Sequence, residues 1–149
     1  MTIYPDASFL ISWLYRPHAL NNKARNWFAR HQADDFLISE WARFETINTL
    51  RGLCLRPNPP RPELAESLRR YFSYLLQNGP FELVGVDWDE VLKDAHQVSA
   101  SFAARLKARS AGTLHVAVLE QLNPDLFVSG DSDQLALANA RGFRSECFY

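Results

Sequence analysis

Short apolar runs alternate with longer amphipathic stretches along most of the chain. The apolar runs have the length and composition of strands and comprise residues 2–5, 36–38, 81–86, 126–128 and 143–147. Each amphipathic stretch repeats apolar residues every three or four positions, which predicts a helix. The predicted helices span residues 7–15, 21–31, 40–55, 63–77, 88–107, 113–122 and 132–140. Strands that alternate with helices predict an α/β fold, a three-layer α/β/α sandwich with a mainly parallel sheet.

Several residues mark where the predicted elements begin and end. Pro5 closes the first strand, because a proline cannot donate a hydrogen bond within a sheet. Ser39 and Asp87 precede helices and are residue types that cap a helix N-terminus through a side-chain oxygen. Residues 57–62 read Pro-Asn-Pro-Pro-Arg-Pro, which predicts a stiff exposed loop. No repeat or linker interrupts the pattern, so we expect one domain over residues 1–149.

The composition is that of a globular protein. The chain is 47% apolar and 13% aromatic, and its 149 residues suffice for a buried core. Cys54 and Cys147 lie far apart and match no metal-binding spacing, so we expect reduced thiols and a cytoplasmic location. The N-terminus lacks the basic and apolar regions of a signal peptide. No apolar stretch approaches the roughly 20 residues of a membrane span.

The net charge of −1 conceals an asymmetry between the two halves of the chain. Residues 1–75 contain 10 basic and 7 acidic side chains, whereas residues 76–149 contain 6 basic and 10 acidic ones. A general nucleic-acid coat is disfavoured, because its affinity grows with the number of phosphates that it neutralises. A local basic patch remains compatible with these numbers, as do scattered solvating charges.

Two aspartates follow predicted strands. Asp6 comes directly after the first strand, and Asp131 comes shortly after residues 126–128. Ligands of open α/β sheets bind beyond the carboxyl ends of the strands, so both aspartates are expected at one crevice. Each aspartate is equally suited to capping the helix that follows it, and the sequence leaves both roles open.

Glu45 is a third acidic residue of interest, because it lies among apolar residues in the helix predicted over residues 40–55. A carboxylate near a buried face is destabilising unless a cation or a hydrogen-bond donor compensates it. Three carboxylates in one crevice would repel one another, which favours a bound Mg²⁺ or Mn²⁺ because these ions prefer oxygen ligands. The alternative is a surface ion pair of Glu45 with Arg43 or Arg51.

Four motifs, taken in order, resemble the PIN domain family and, within it, the VapC-type toxins of toxin–antitoxin pairs. They are the strand–turn–helix around Asp6, Ser39-Glu40 with Glu45 in the same helix, Leu114-His115-Val116-Ala117, and Phe127-Val128-Ser129-Gly130-Asp131-Ser132-Asp133-Gln134. The resemblance covers almost the whole chain and implies a PIN-like fold.

The resemblance also implies a metal-dependent endoribonuclease, the toxin of a type II toxin–antitoxin system. Asp6, Glu45 and Asp131 match the catalytic and metal-binding acids of the family, with Mg²⁺ or Mn²⁺ as the cofactor. Ser129 matches a supporting hydroxyl two residues before the last acid, and Asp133 stands where a further polar or acidic residue is common. The family further implies an RNA substrate, an antitoxin partner and a homodimer.

The chain departs from the family pattern at Gly112. The family usually has an aspartate three residues before the histidine of the Leu-His-Val-Ala motif, and this chain has glycine there. The neighbouring Thr113 offers a hydroxyl, which is a neutral and weaker ligand. Loss of one acid lowers the negative charge of the site and weakens its hold on a divalent ion. The alternative to a nuclease is therefore a degenerate, non-catalytic PIN-like module that binds RNA or protein.

Basic residues and His115 are the remaining candidates at the site. His115 stands between apolar residues on a helix that should pack against the sheet, so a hydrogen-bonded structural role is expected rather than a catalytic one. Two basic clusters are candidates for contacts with RNA phosphates, with ordinary surface charge as the alternative. They comprise Arg51, Arg56 and Arg61 around the proline loop, and Arg105, Lys107 and Arg109 before the Gly112 turn.

Two further interpretations concern aromatic residues and a different reaction. Trp13, Trp27, Phe28 and Trp41 serve either an interface with a partner or simple core packing. A phosphotransfer domain with Asp6 as the nucleophile is a distant alternative. Such a domain would need another Asp or a Thr closely after Asp6, and the chain offers only Ser8.

Overall fold

Five parallel strands form one sheet in the computed structural model, which describes residues 1–149. The strands are β1 (Thr2–Pro5), β2 (Asp35–Ser39), β3 (Phe81–Val84), β4 (Leu126–Ser129) and β5 (Ser145–Cys147). Their order in the sheet is β3-β2-β1-β4-β5, and all four neighbouring pairs are parallel. The parallel α/β fold predicted from the alternation of strands and helices is therefore confirmed.

Seven helices connect and flank the strands. They are α1 (Ala7–Leu14), α2 (Asn21–Arg30), α3 (Glu40–Gly52), α4 (Pro62–Asn78), α5 (Trp88–Phe102), α6 (Ser110–Leu122) and α7 (Ser132–Ala140). A 3₁₀ turn at Leu53–Leu55 follows α3 and leads into the proline loop. None of the helices combines the length and the apolar character that a membrane crossing requires.

The largest difference from the predicted elements lies between α5 and α6. The sequence predicts a helix to residue 107, whereas α5 ends at Phe102 and α6 already begins at Ser110. Leu106 and Ala108 pack against the core from the intervening segment. Tertiary packing of these two apolar side chains overrides the helical propensity of the segment. This chain reversal brings residues 107–109 towards the carboxyl ends of the strands.

The core lies on both faces of β1 and β4, the two central strands. Ile3, Tyr4, Phe127 and Val128 are fully buried, as expected for a parallel sheet that helices cover on both sides. Trp27 donates a hydrogen bond to Glu146 at 2.7 Å from within this core.

The aromatic residues divide between the core and the surface. Trp13 and Trp27 are buried, so core packing explains them and a partner surface does not. Phe28 and Trp41 are half-buried, and Trp41 lies beside Phe44, which is exposed. Cys54 and Cys147 are free thiols, as predicted.

The strand order places the candidate acids at a topological switch point. The chain runs from β1 outwards through β2 to β3, and then returns to the other side of β1 with β4 and β5. Pro5 pairs with Val128, and the backbone N–H of Asp6 donates to the Val128 carbonyl at 3.1 Å. Asp6 and Ser129 therefore leave neighbouring strands at the same edge, where ligands of open α/β sheets bind.

Candidate metal and nuclease site

Asp6 lies at the junction of β1 and α1 with its carboxylate almost completely buried. Its Oδ1 accepts hydrogen bonds from the Ser8 hydroxyl at 2.6 Å and from the Phe9 backbone N–H at 3.0 Å. Its Oδ2 accepts from the Ser129 hydroxyl at 2.7 Å. Burial raises the pKa of Asp6 above its ordinary value, and these hydrogen bonds oppose the shift. Asp6 thus caps α1 and also faces the carboxyl edge of the sheet, so the two roles coexist.

Ser129 connects Asp6 to Asp131 at the end of β4. Its hydroxyl donates to Asp6 and accepts from the backbone N–H of Asp131 at 2.8 Å. Asp131 in turn caps α7, because its Oδ1 accepts from the backbone N–H groups of Asp133 and Gln134. One hydroxyl therefore fixes the positions of two acids that are far apart in the sequence.

Ser8 provides a second link between the two strand ends. Its hydroxyl donates to Asp6 and accepts from the backbone N–H of Gly130 at 2.8 Å. Gly130 is required for this close approach, since a Cβ atom there would lie 2.8 Å from the Phe148 ring. Sequence reasoning considered Ser8 only as a possible partner of a phosphotransfer nucleophile, although a serine two residues after a capping aspartate is well placed to bind it.

Glu45 is held by a buried chain of hydrogen bonds. Its Oε2 lies 2.8 Å from Nε2 of His115, whose Nδ1 lies 2.9 Å from the Tyr4 hydroxyl. The Tyr4 hydroxyl lies 2.8 Å from the Ser39 hydroxyl, which accepts from the backbone N–H of Ala42. His115 and Tyr4 have no exposed surface. The chain of contacts connects β1, β2, α3 and α6 at one point.

The Glu45 carboxylate fixes the direction of its hydrogen bond with His115. A carboxylate only accepts, so Nε2–H of His115 donates to Oε2 of Glu45. The Tyr4 hydroxyl lies between Nδ1 of His115 and the Ser39 hydroxyl and is within hydrogen-bond distance of both. His115 is therefore a hydrogen-bonded structural histidine, as expected, but one that binds a candidate acid directly.

The alternative partners of Glu45 do not contact it. Arg43 forms its ion pair with Glu40, one helical turn earlier. Arg51 lies in a groove with Cys54, Pro62 and other residues at the start of α4. The surface ion pair considered for Glu45 is therefore wrong, because His115 is the group that its carboxylate binds.

Asp6, Glu45 and Asp131 line one cavity of about 310 Å³ at the carboxyl edge of the sheet. His18 and Arg56 line it as well, and neither was singled out from the sequence as facing the acids. Burial lowers the pKa of His18, and the positive charge of Arg56 contributes to the same shift. The cavity therefore combines three carboxylates with one cationic side chain, that of Arg56, and this composition suits a phosphodiester substrate.

A smaller cavity of about 160 Å³ also includes Glu45 and Asp131 and contains the second basic cluster. Lys107 Nζ lies 3.5 Å from Asp133, and the Arg109 guanidinium lies 3.6 Å from both Asp131 and Asp133. Both basic side chains are largely exposed, so these ion pairs add little stability and leave the charges accessible. Their positive charges therefore lie beside Asp131 and Asp133.

Two predicted site residues point elsewhere. The Thr113 hydroxyl donates to the Arg109 carbonyl at 3.1 Å, and Thr113 lines a separate groove between α5 and α6. Arg105 donates to the Ser101 carbonyl, and its guanidinium lies over the Phe102 ring. Thr113 therefore does not offer its hydroxyl to the acids, and Arg105 faces α5 instead of the cavity.

The site fits a divalent ion that has few direct protein ligands. No three His, Cys, Asp or Glu side chains converge closely enough to hold a metal ion between them. Mg²⁺, however, usually takes one or two carboxylates and completes its shell with waters and substrate phosphates. Asp6 suits this role, because its buried carboxylate is surrounded by neutral donors only.

A family model described as the PIN domain matches residues 3–140. The chain belongs to the PIN domain family. The suspected resemblance is thereby confirmed, and it extends over nearly all of the elements described above. No curated protein is significantly similar in sequence.

Solved structures share the fold of this PIN domain at low sequence identity. VapC20 of Mycobacterium tuberculosis, described as a toxin that cleaves the sarcin–ricin loop, has a TM-score of 0.69 and 17% identity, with 95% of each chain covered. VapBC-1 of nontypeable Haemophilus influenzae has a TM-score of 0.68 and 10% identity, with 99% of this chain and 98% of that chain covered. VapBC2 of Rickettsia felis, bound to a promoter DNA fragment, has a TM-score of 0.64 and 9% identity, with the same coverage.

Proposed function

We propose that this PIN domain is a Mg²⁺- or Mn²⁺-dependent endoribonuclease and the toxin of a type II toxin–antitoxin pair. The observation that carries the proposal is the one cavity lined by Asp6, which precedes α1, by Glu45 of α3 and by Asp131, which precedes α7. Membership of the PIN family and the likeness of the fold to VapC20 support the same reading.

The side chains have separate roles in the proposed reaction. Asp6 and Asp131, linked through Ser129, hold the ion on one side of the cavity, and His115 orients Glu45 on the other. The bound ion would activate a water for in-line attack on the phosphodiester and stabilise the developing negative charge. Lys107 and Arg109 bind the flanking phosphates and thereby position the strand.

The proposed protein partners are an antitoxin and a second copy of this chain. The VapBC structures, which share the fold, are complexes, and this supports an antitoxin partner for the present chain. Large apolar side chains exposed on α3 and α4 offer a surface for a homodimer or for that partner, and they include Phe44, Leu64, Tyr71 and Tyr74. A cytoplasmic location follows from the RNA substrate and the free thiols.

The proposal is tested by cleavage of structured RNAs with Mg²⁺ and with EDTA. Wild type should cleave only with the metal, and Asp6→Ala and Asp131→Ala should lose at least about a hundredfold in rate, the scale of a lost electrostatic group. Ser132→Ala changes the exposed first residue of α7, next to Asp131; it is the control and should cleave as wild type does. Equal cleavage by wild type and both acid variants would rule out this mechanism.

The second candidate function is a non-catalytic PIN-like binding module, which Gly112 favours. A degenerate site would bind RNA or protein without retaining a divalent ion. Calorimetric titration with Mn²⁺ separates the two, since the module should show no binding in the micromolar-to-millimolar range. The phosphotransfer alternative is disfavoured because no Asp or Thr closely follows Asp6, where the chain has only Ser8.

A further inference from the structure

The side chain of Gln134 occupies the space in front of Gly112. A Cβ atom on Gly112 would lie 2.8 Å from Cγ of Gln134 and 3.5 Å from its Cδ, distances at which one of the two must move. Gly112 is buried in the first turn of α6, and Gln134 lies in the first turn of α7. The side chain of Gln134 on α7 thus fills the space that a side chain at Gly112 on α6 would take.

The amide of Gln134 ends in a buried oxygen that has no partner in the protein. Its Oε1 is one of few buried side-chain polar atoms without a hydrogen bond. A buried acceptor of this kind is destabilising unless another group satisfies it, and such atoms are therefore rare. Gln134 also lines both cavities, each of which includes Glu45 and Asp131. Gln134 therefore borders the same two cavities as the two acids.

Asp131 also fixes the backbone of Gln134. Its N–H donates to Oδ1 of Asp131, the N-cap of α7, at 3.3 Å. Asp131 and Gln134 therefore keep one relative position, and the Gln134 side chain lies against Gly112.

We propose that Gln134 supplies an amide oxygen to the divalent ion in place of the carboxylate that is absent at Gly112. The inference rests on the proposed metal-dependent function and names a further residue of that site. Gly112 and Gln134 form a compensating pair, in which the glycine leaves the room that the glutamine fills.

An amide in place of a carboxylate removes one negative charge from the site but still offers an oxygen ligand. Amide carbonyl oxygens are ordinary ligands of hard divalent ions. The site carries one negative charge fewer, and Lys107 and Arg109 lie close to its remaining acids. The ion is therefore held more weakly in the free protein and more strongly once an RNA phosphate adds its own negative charge.

The inference is tested by calorimetric titration of the full chain with Mn²⁺ in the absence of RNA. Gln134→Met preserves length and removes the oxygen, and we expect about tenfold weaker binding. Gln134→Glu replaces the amide with a carboxylate and should bind Mn²⁺ at least about tenfold more tightly than wild type, since it adds a negatively charged ligand.

Gly112→Ala provides a test that changes no ligand atom. The added methyl displaces Gln134, so Mn²⁺ binding should weaken in the wild-type background and stay unchanged in the Gln134→Ala background. This non-additivity is the signature of direct coupling between the two positions. Gly52→Ala is the matched control, because a Cβ there meets nothing within 4 Å. Circular dichroism confirms that each variant is folded.

The outcomes separate the inference from the proposed function. Equal Mn²⁺ binding by wild type and Gln134→Met would overturn the role of Gln134 while leaving the nuclease intact. If only the double variant Gly112→Asp/Gln134→Ala binds Mn²⁺ and wild type does not, the role of Gln134 is also overturned. That result would favour the non-catalytic module for the wild-type protein. Absence of binding in wild type, Gln134→Glu and the double variant would overturn the inference together with the metal site.

Discussion

The Nε2 atom of His115 lies 2.8 Å from Oε2 of Glu45, although 70 positions separate the two residues in the sequence. The imidazole comes from α6 and the carboxylate from α3, so the contact fixes one helix relative to the other at the cavity. His115 is completely buried, whereas the Glu45 side chain is 27% exposed. His115 therefore binds the buried side of the Glu45 carboxylate, and the side that faces the cavity stays exposed.

Replacement of His115 is expected to separate orientation of Glu45 from simple packing. His115→Leu fills the space but removes the donor, and the cleavage rate should fall about 10- to 100-fold, as for other groups that orient a metal ligand. His115→Gln retains a side-chain N–H near the position of Nε2 and should recover much of the rate. Steady-state kinetics should show the loss in kcat rather than in KM.

Tyr4→Phe is the control for this prediction. It removes the hydroxyl at Nδ1 of His115 while the donor to Glu45 remains, so the loss of rate should be smaller than in His115→Leu. If His115→Gln is as inactive as His115→Leu although both are folded, the donor to Glu45 is not what matters.

Ser129→Ala should affect both stability and cleavage. The variant leaves Oδ2 of Asp6 and the N–H of Asp131 without their partner, which should lower the free energy of unfolding by about 1–3 kcal/mol. Because two acids lose their common support, the cleavage rate should fall as well. Urea denaturation and a cleavage assay measure the two effects, and unchanged values in both would contradict the proposed link.

Asp6→Asn should gain stability relative to wild type as the pH rises from acidic to neutral, when divalent ions are absent. Burial raises the pKa of Asp6 in the folded protein, so the folded state retains its proton more strongly than the unfolded chain does. As the pH rises above the unfolded value, the wild-type free energy of unfolding falls until the folded pKa is passed. The neutral asparagine avoids this loss, although its NH₂ group replaces one accepting oxygen and adds a loss that does not depend on pH.

The measurement is urea denaturation from acidic to neutral pH, with EDTA and with Mg²⁺. Below the ordinary pKa of an aspartate the charge-related difference between the two proteins should vanish, since Asp6 is then protonated in both states. Mg²⁺ should raise the midpoint of wild type more than that of Asp6→Asn, because the variant has one negatively charged ligand fewer. A larger advantage of Asp6→Asn at acidic pH than at neutral pH would contradict the sign of the shift.

Arg109→Gln should weaken RNA binding, and Arg105→Gln should not. The guanidinium of Arg109 lies beside Asp131 and Asp133 at the cavity, whereas that of Arg105 is engaged by Ser101 and Phe102. Removal of one phosphate contact should reduce the salt dependence of binding by about one unit of the log–log slope. Fluorescence anisotropy at several salt concentrations without divalent ions measures this, and equal slopes for the two variants would exclude Arg109 as a phosphate contact.

Much of the fold was predictable because its determinants are local. The apolar runs identified all five strands, and Ser39 and Asp87 cap helices as their residue types suggest. The early end of α5 was not predictable, since residues 103–107 suit a helix and leave it only because Leu106 packs against the core. Non-local packing decided this boundary.

The candidate site was predictable in its acids but not in its supporting contacts. Asp6 and Asp131 stand at strand ends, and the sheet topology brings such residues to one edge whatever lies between them. Nothing local to His115 indicates Glu45 as its partner, since the contact depends on how α6 lies against α3. The contact of Gln134 with Gly112 was equally hidden, because it depends on how α7 lies against α6.

The pairing of β1 with β4 has a consequence for how the candidate site forms during folding. Ile3 pairs with Leu126, so the two central strands come together only when a very long loop closes. Loop closure of this kind slows folding, because the chain loses entropy before the contacts form. Refolding should therefore show the helical signal early and RNA cleavage late. The chain should not cleave RNA until β1 and β4 have paired.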